Sequence, residues 1–204
     1  MKKNMYIIGI TGGTGAGKTS AMQALQSLGA LALDCDEIYH GLLLSSDEMK
    51  AKLEERFDNV STDGEIDRQK LSEIVWNDPT ALHELNTITH GFVNDEIDRR
   101  IAAFKMQGGT VAAVDAIALI ESGQSANCDV IVGVTAPPEE RLSRIMQRDN
   151  LKREHAQMRL KAQQSESYYK ENCDYILENV YDTKALFEEK CVEFFNELIR
   201  RNCT

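Results

Sequence analysis

The segment from Gly9 to Ser20 reads GITGGTGAGKTS, and it limits the possible folds of this chain more than any other stretch. It contains the pattern G-x-x-x-x-G-K-[ST] between Gly12 and Thr19. An apolar, β-branched run from Met5 to Thr11 leads into it and predicts a buried strand. An amphipathic helix is predicted after it, ending near Gly29. The glycines between strand and helix form either a flexible turn or a cradle for phosphate.

The residue types in this segment match the chemistry of phosphate binding. Glycines let successive backbone N–H groups turn inward around a phosphate, and a helix that begins near Lys18 adds the positive end of its dipole. In such a P-loop Lys18 reaches the β- and γ-phosphates, and the Thr19 hydroxyl ligates Mg²⁺. A chance match arises in roughly one chain of this length in a hundred, but chance does not supply the flanking strand and helix. The predicted nucleotide-binding residues of the loop are Gly12, Gly13, Thr14, Gly15, Ala16, Gly17, Lys18, Thr19 and Ser20.

The rest of the chain predicts an α/β fold. A second strand, ALALD, completes a β-α-β unit, and buried-strand patterns return in TVAAVDA, CDVIVGVT and DYIL. We therefore predict a P-loop NTPase-type parallel sheet flanked by helices, formed by residues 1–36 and 107–204. Residues 37–106 predict a mainly helical insertion, with Ile74 and Leu82 in its apolar stripes. A closing helix is predicted to pack Phe194 inward.

Charge and cysteine content exclude several classes of protein. The 204 residues carry a formal net charge of −10, so general affinity for nucleic acid or an acidic membrane is not expected. No apolar run approaches the ~20 residues that span a bilayer. The apolar run that follows Lys2 and Lys3 ends at Gly9 after only a few residues, which is too short for a secretory signal peptide. The five cysteines are scattered without a C-x-x-C pair, so neither a disulfide framework nor a zinc site is predicted. We expect a cytoplasmic protein.

Acidic residues follow two of the predicted strands. Asp34 and Asp36 come at the end of ALALD, while Asp115 ends TVAAVDA and Glu121 lies beyond it. In an open parallel sheet such positions border the ligand crevice. A carboxylate there can take the proton of an acceptor hydroxyl, or hold Mg²⁺ through water, during phosphoryl transfer. Each residue also fits the simpler role of a helix cap or loop residue. Of the first pair we favour Asp36 for catalysis.

Basic residues concentrate between Arg141 and Lys161 in this otherwise acidic chain. Arg141, Arg144 and Arg148 are spaced i, i+3 and i+7 and share one face of a predicted helix. Such a row can close over ATP and neutralise charge on the transferred phosphoryl group. The alternative is a solvated face whose arginines pair with neighbouring glutamates. We predict a short helical lid at about residues 148–165, with Arg148 as its main catalytic arginine.

These segments, in this order, resemble the dephospho-CoA kinase family over nearly the whole chain. The matching stretches are IGITGGTGAGKTS, LGALALDCDEI, DGEIDRQKLSEIVWNDP, LHELNTITH, VDAIALIESG, CDVIVGVTAPPEERLSRIMQRDNLKREHAQMRLKAQ and CDYILEN. The resemblance implies transfer of the ATP γ-phosphoryl group to the ribose 3′-hydroxyl of dephospho-CoA, the last step of coenzyme A synthesis. It implies that ATP, with Mg²⁺, and dephospho-CoA are the ligands, and that the helical insertion binds the acceptor.

The resemblance also assigns roles by position. Asp36 matches the family's proposed general base, so the implied catalytic residues are Asp36, Lys18 and Arg148. Beyond the P-loop, the residues implied for ATP are Arg144, Arg148 and Asn179. The residues implied for the acceptor are Asp36, Arg68, His90, Asp115 and Gln163. Thr19 is the implied metal ligand.

Three positions depart from the family pattern, all on the acceptor side. The family usually has proline at the positions of Ile117 and Gly91, and commonly arginine at the position of His40. A related P-loop kinase with a different hydroxyl acceptor is therefore one alternative. A nucleotide-dependent switch without phosphotransfer is another, although the N-K-x-D motif of GTPase switches is absent from the sequence. We expect a monomer or a small homo-oligomer.

Overall fold

The computed structural model describes residues 5–76 and 78–203, so Lys2 and Lys3 lie outside the described residues. The strands are β1 (Tyr6–Thr11), β2 (Leu31–Asp34), β3 (Ser61–Thr62), β4 (Glu65–Ile66), β5 (Val111–Asp115), β6 (Val130–Thr135) and β7 (Tyr175–Glu178). The helices are α1 (Lys18–Ser27), α2 (Cys35–Ser45), α3 (Asp47–Arg56), α4 (Arg68–Trp76), α5 (Pro79–Met106), α6 (Pro138–Asp149), α7 (Arg153–Lys161), α8 (Glu166–Asn172) and α9 (Lys184–Asn202). A short 3₁₀ helix, Gln124–Asn127, precedes β6.

The chain divides into two compact units. The first runs to Leu33 and resumes at Ala103, and the second is Asp34–Ala102. The P-loop, α6 and α7 belong to the first unit. The second unit contains α2, α3, α4 and most of α5.

The first unit contains a five-stranded sheet in the order β2-β5-β1-β6-β7. Strand β1 pairs in parallel with both β5 and β6, and β6 pairs in parallel with β7. These strands form because YIIGIT and VIVGVT are apolar on both faces, as buried parallel strands are. The predicted P-loop NTPase-type sheet flanked by helices is confirmed. Since parallel strands end at one edge, the P-loop after β1 lies at the same edge as the ends of β5 and β6.

Helices α1 and α9 pack against this sheet and supply its main core. Ile10 of β1, Leu25 of α1 and the aromatic pair Phe187 and Phe195 of α9 are at most 1 % exposed and belong to one cluster. Fully burying a side chain of this size contributes about 1.5–3 kcal/mol, so the cluster fixes α1 firmly behind the P-loop. Phe194, predicted to face inward, is only partly buried, and Phe195 takes the central place.

The second unit has its own core between its helices. Met49 and Leu53 of α3 and Leu71 of α4 are buried together. Two residues of the predicted apolar stripes, Ile74 and Leu82, are instead exposed, at 37 % and 44 %. They lie at the edges of their helical faces, where sequence spacing defines the buried side least sharply.

A two-stranded hairpin, β3–β4, interrupts the helices of the second unit and was not predicted. Its turn contains Asp63 and Gly64 with φ of 53° and 81°, the left-handed pair that a tight two-residue hairpin requires. The Asp-Gly dipeptide signals the turn in the sequence, but strands of two residues leave no alternating pattern to detect.

The described chain contains no disulfide between its five cysteines. Within residues 5–76 and 78–203, none of the helices combines the length and the apolar content needed to cross a membrane.

Candidate active site

The P-loop connects the end of β1 to the start of α1. A turn closes it, in which the N–H of Ala16 donates to the carbonyl oxygen of Gly13 at 3.2 Å. Gly17 is the N-cap of α1, and the first turn of that helix contains no acidic side chain. The N–H groups of this turn therefore have no side-chain cap, and the positive end of the helix dipole is available to an anion. The loop has the form of a phosphate-binding site.

Asn179 follows β7 directly, and its side chain is buried at 6 % exposure. Its Nδ2 donates to the carbonyl oxygen of Ala16 at 3.0 Å, and its backbone N–H donates to the carbonyl oxygen of Thr135 at 2.7 Å. Asn179 thereby joins the P-loop to the end of β6. These contacts support the loop, and the implied contact of Asn179 with ATP stays a prediction.

Replacing Gly17 by alanine is expected to destabilise the protein by about 2 kcal/mol or more. Gly17 has a φ of 116°, which side chains rarely adopt, and a Cβ would lie 2.7 Å from Nδ2 of Asn179 and 2.8 Å from Cε1 of Phe187. Thermal unfolding of Gly17→Ala measures the loss.

The matched control for this substitution is Gly41→Ala. Gly41 lies inside α2 with open space where a Cβ would point, so alanine there should stabilise by up to about 1 kcal/mol. If Gly17→Ala unfolds at the same temperature as the wild type, the loop is not constrained in the way described.

Lys18, Thr19 and Ser20 form the first turn of α1. Lys18 is half-buried and, within the described residues, has no carboxylate within 4.0 Å. Its ammonium group therefore forms no ion pair with the described chain. Ser20 is buried and its hydroxyl donates to Oε1 of Glu188 at 3.4 Å, which serves the packing of α1 against α9. Thr19 is exposed beside the loop.

The residues of the loop fit a magnesium ion carried by a nucleotide. No group of three or more His, Cys, Asp or Glu side chains in the described part of the chain could hold a metal ion by itself. Mg²⁺ instead prefers oxygen ligands, keeps several waters and is usually held by few protein groups plus substrate phosphates. The exposed hydroxyl of Thr19 is an oxygen donor of this kind, at the helix end where phosphate would bind.

Two of the three predicted lid arginines reach the P-loop from α6. Nε of Arg141 donates to the carbonyl oxygen of Thr14 at 3.0 Å, and Nη1 of Arg144 donates to that of Gly15 at 3.1 Å. Arg141 also covers Gly13, because a Cβ at Gly13 would collide with its guanidinium group. The first two arginines of the predicted row therefore connect α6 to the P-loop.

The third arginine, Arg148, is exposed and contacts Asp149. Its Nε and Nη2 donate to the two carboxylate oxygens at 2.8 and 3.1 Å, and Arg159 donates to the same carboxylate at 2.6 Å. The hydrogen bond to Asp149 raises the pKa of Arg148 above its usual value, and the same bond lowers the pKa of Asp149. The described contacts of Arg148 do not include the P-loop, and its catalytic role stays a prediction.

Gln163, implied for the acceptor, contacts the P-loop. Its Oε1 accepts from the N–H of Thr14 at 2.9 Å and from Nη2 of Arg141, and its Nε2 donates to Oγ1 of Thr14 at 2.6 Å. Gln163 follows the end of α7, so these bonds connect the predicted lid to the loop. A role toward the acceptor stays a prediction.

Asp115 ends β5 and lies beside Ile10 of β1 in the parallel register, at the edge of the sheet that carries the P-loop. Glu121 lies beyond it and is exposed. Burial raises the pKa of Tyr168, and the charge of Glu121 acts in the same direction, so Glu121 lies near Tyr168. The functional roles considered for both carboxylates stay predictions.

The second unit contains the two aspartates at the junction of β2 and α2. The carboxylate of Asp34 is the N-cap of α2 and accepts from the N–H groups of Asp36 and Glu37 at 2.9 and 3.1 Å. The simpler interpretation of Asp34 as a helix cap is therefore confirmed. Asp36 is exposed in the first turn of α2, and its carboxylate is not the cap. Its predicted role as general base is compatible with this exposure and stays a prediction.

This unit also contains Arg68 and His90, the two other residues of the helical insertion that are implied for the acceptor. His40 is one helical turn after Asp36 on α2, and its Nε2 lies 3.5 Å from Nη2 of Arg68. His90 on α5 is half-buried, and burial lowers its pKa below the usual value. Among the described residues Arg68 has no carboxylate within 4.0 Å, so its positive charge lies beside His40 on the helix that carries Asp36.

The contact of Arg141 with the P-loop is the feature that sequence reasoning did not predict. Arg141 belongs to the arginine row that can close over ATP, but the row itself favours Arg148, and the resemblance implies only Arg144 and Arg148 for ATP. The signal in the sequence was its place at the start of the row, nearest Pro138, where α6 begins at the edge of the sheet that carries the P-loop. That position brings Arg141 to the loop.

Comparisons with known proteins identify the family of this chain. The family model described as dephospho-CoA kinase matches residues 6–185. A dephospho-CoA kinase of Thermobifida fusca is 31 % identical over 199 residues, which cover 97 % of this chain and 98 % of that protein.

Two solved structures resemble this chain over nearly its whole length. A Thermus thermophilus protein superposes with a TM-score of 0.82 at 26 % identity, over 97 % of this chain and 99 % of that one. The dephospho-CoA kinase of Campylobacter jejuni superposes with a TM-score of 0.60 at 25 % identity, over 96 % and 98 % of the two chains. With the P-loop, its arginines and a family match over most of its length, the chain belongs to the dephospho-CoA kinase family.

Proposed function

We propose that the protein transfers the γ-phosphoryl group of ATP to the ribose 3′-hydroxyl of dephospho-CoA, giving coenzyme A and ADP. The observation that carries this function is the family match over residues 6–185, which contains the complete P-loop. The helix N-terminus without an acidic cap, and Lys18 without a carboxylate partner in the described chain, supply the charge that a polyphosphate requires.

On the ATP side, phosphoryl transfer needs positioning and charge neutralisation more than covalent chemistry. The N–H groups of the loop and the ammonium of Lys18 would bind and orient the phosphates. Arg144, already hydrogen-bonded to the carbonyl oxygen of Gly15, would bring a second positive charge to the same loop. Thr19 would hold Mg²⁺, which when bound neutralises charge on the β- and γ-phosphates.

On the acceptor side, Asp36 would accept the proton of the attacking hydroxyl. It is the carboxylate left exposed when Asp34 caps α2, so it has no structural duty in the cap. Arg68 would hold an anionic part of the acceptor, with His40 beside it and His90 on the neighbouring helix α5. Residues 37–106 would then act as the acceptor-binding insertion, and residues from about 148 to 165 as a lid.

The departures at His40, Gly91 and Ile117 make a related acceptor the alternative. Of the three departures, His40 is the one that lies beside a residue implied for the acceptor, because it adjoins Arg68. The family commonly has a second arginine at its position. A histidine there offers an acceptor phosphate less permanent positive charge than an arginine. A different nucleoside or small-molecule hydroxyl remains the second candidate for the acceptor.

An assay of ADP release with a panel of acceptors separates the two. Purified protein with Mg-ATP should release ADP rapidly with dephospho-CoA and only at background rate with shikimate, gluconate or simple nucleosides. Faster release with one of those acceptors would assign the alternative. Nucleotide binding with no release on any acceptor would favour a binding protein without phosphotransfer.

Arg68→Ala is expected to raise the KM for dephospho-CoA about 10-fold, because one charged hydrogen bond contributes roughly 1.5–3 kcal/mol to binding. The KM for ATP should change little. The control is Arg100→Ala in the same unit, since Arg100 is occupied by Glu96 at 2.7 Å. Steady-state kinetics with each substrate varied in turn makes the measurement. An equal rise in both KM values would argue against an acceptor contact for Arg68.

The cellular setting is proposed from the same activity. Coenzyme A synthesis from ATP suits the cytoplasm, and scattered cysteines without disulfides in the described chain suit a reducing compartment. We also propose a monomer or a small homo-oligomer that binds neither nucleic acid nor membranes, as the charge of −10 suggests.

A further inference from the structure

A cavity of about 290 Å³ lies beside the P-loop in the first unit. The residues of its wall that matter here are Gly13, Thr135, Arg141, Lys161, Gln163 and Tyr169. Thr135 is 5 % exposed, and its Oγ1 is buried without a hydrogen-bond partner in the described chain. Burying a hydroxyl without a hydrogen-bond partner costs free energy unless a polar group in the cavity bonds to it. The wall therefore suits a polar occupant.

Arg141 brings an unneutralised charge to this wall. Each of its neighbours Arg148, Arg153 and Arg159 has a carboxylate within 2.8 Å, whereas Arg141 has none within 4.0 Å in the described chain. Burial lowers the pKa of Arg141, with Tyr169 and Glu166 acting on it only at longer range. A half-buried guanidinium without an anion is unfavourable, so its position indicates an anionic ligand.

Besides the carbonyl oxygen of Thr14, which accepts from its Nε, Arg141 contacts Oε1 of Gln163. This one oxygen accepts from Nη2 of Arg141 and from the N–H of Thr14. A guanidinium and a P-loop N–H converging on a single oxygen is the arrangement that a phosphate oxygen requires. Gln163 is a neutral side chain at the end of α7, so it satisfies the two donors without supplying the charge that Arg141 lacks.

We propose that Arg141 is a phosphate-contacting residue of the ATP site, and that Oε1 of Gln163 holds the two donors which a phosphate oxygen takes over when the nucleotide binds. The proposal rests on the proposed function, since it takes ATP as the ligand. Arg141 would contact the nucleotide directly. Gln163 would be a positioning residue that keeps Arg141 and Thr14 oriented and then releases them.

This exchange predicts that substitutions of Arg141 and of Gln163 change the affinity for nucleotide in opposite directions. Removing Arg141 takes away a charged hydrogen bond to phosphate and should weaken nucleotide binding about 10-fold or more. Removing the amide of Gln163 takes away a competitor of the phosphate and should strengthen binding by about 3-fold to 10-fold, since a neutral hydrogen bond contributes less than a charged one. If the two residues only brace the loop, both substitutions weaken binding.

The experiment is calorimetric titration of the full chain with the β,γ-imido analogue of ATP and Mg²⁺, in the absence of any acceptor. The variants are Arg141→Gln, Gln163→Leu and Gln163→Glu. The last places a carboxylate against Arg141 and should weaken binding, because the nucleotide must then displace a charged partner. Arg201→Gln is the control, since Arg201 is exposed and paired with Glu197 on α9.

The proposal is supported by weaker binding to Arg141→Gln together with tighter binding to Gln163→Leu. Weaker binding to both, or unchanged binding to Arg141→Gln, overturns it. Thermal unfolding checks that each variant is folded, and Arg141→Lys replaces Arg141→Gln if the latter is not, with the same direction expected. Wild-type binding of the analogue without turnover of dephospho-CoA would contradict the proposed acceptor and leave this test intact.

Discussion

Lys18→Ala is expected to lower kcat/KM about 10³-fold, the largest single effect in the site, because it removes a preorganised positive charge from the transferring phosphate. Lys18 is half-buried at the start of α1 and has no carboxylate within 4.0 Å in the described chain, so its ammonium is available to a ligand. Steady-state assays with ATP and dephospho-CoA measure the loss. Binding of the ATP analogue should weaken in parallel.

The control for Lys18 is Lys190→Ala on α9, where the ammonium is exposed and paired with Glu193 at 2.6 Å. Its kcat/KM should stay within about twofold of the wild type, since surface ion pairs contribute little. A variant Lys18→Ala with more than a tenth of wild-type kcat/KM would show that the loop does not hold phosphate as described.

Asp36→Asn is expected to lower kcat by about 10² to 10³, the range that general-base catalysis contributes. The substitution keeps the size of the side chain and removes its capacity to accept a proton. Since Asp34, and not Asp36, caps α2, the fold should be unaffected. The KM values for ATP and dephospho-CoA should change little, which separates a catalytic loss from a binding loss.

The neighbouring substitution Glu37→Gln controls for the loss of a negative charge at the start of α2. Glu37 is also exposed in the first turn, and its replacement should leave kcat nearly unchanged. Equal kcat values for Asp36→Asn and wild type would remove Asp36 from the mechanism. An equal loss in Asp36→Asn and Glu37→Gln would indicate an electrostatic effect of the helix terminus.

The parts of the fold that could be predicted are the elements whose structure depends only on their own short stretch of sequence. The run YIIGIT must be buried on both faces, and the glycines after it must turn before α1, so local sequence determines β1, the loop and the helix. The same holds for VIVGVT in β6. The family resemblance adds what local pattern cannot give, namely the expected acceptor and the implied role of Arg68.

The parts that could not be predicted depend on packing between distant segments. The spacing of Arg141, Arg144 and Arg148 gives one helical face, but only the path of α6 past the P-loop determines which of them reach it. The contact of Gln163 with Thr14 joins residues 149 positions apart, for which the sequence carries no signal. Likewise, Phe194 and Phe195 are both apolar, and the sheet beneath α9 decides which is central.

The same limit applies to short elements. The hairpin β3–β4 has two residues in each strand, and α8 has seven residues, so neither is long enough to establish a period. Both are fixed by what they pack against. In α8 the side chain that is buried in this packing is Tyr169, which is 2 % exposed.

The identity of the product tests the central claim most directly. Wild-type protein is incubated with Mg-ATP and dephospho-CoA, and the product is examined by mass spectrometry and by phosphorus NMR. We predict one ADP for each phosphate added, and a single new phosphomonoester coupled to the ribose 3′ proton. ADP release without that phosphomonoester, or phosphate at any other position, would contradict the assignment of this chain as a kinase of the dephospho-CoA 3′-hydroxyl.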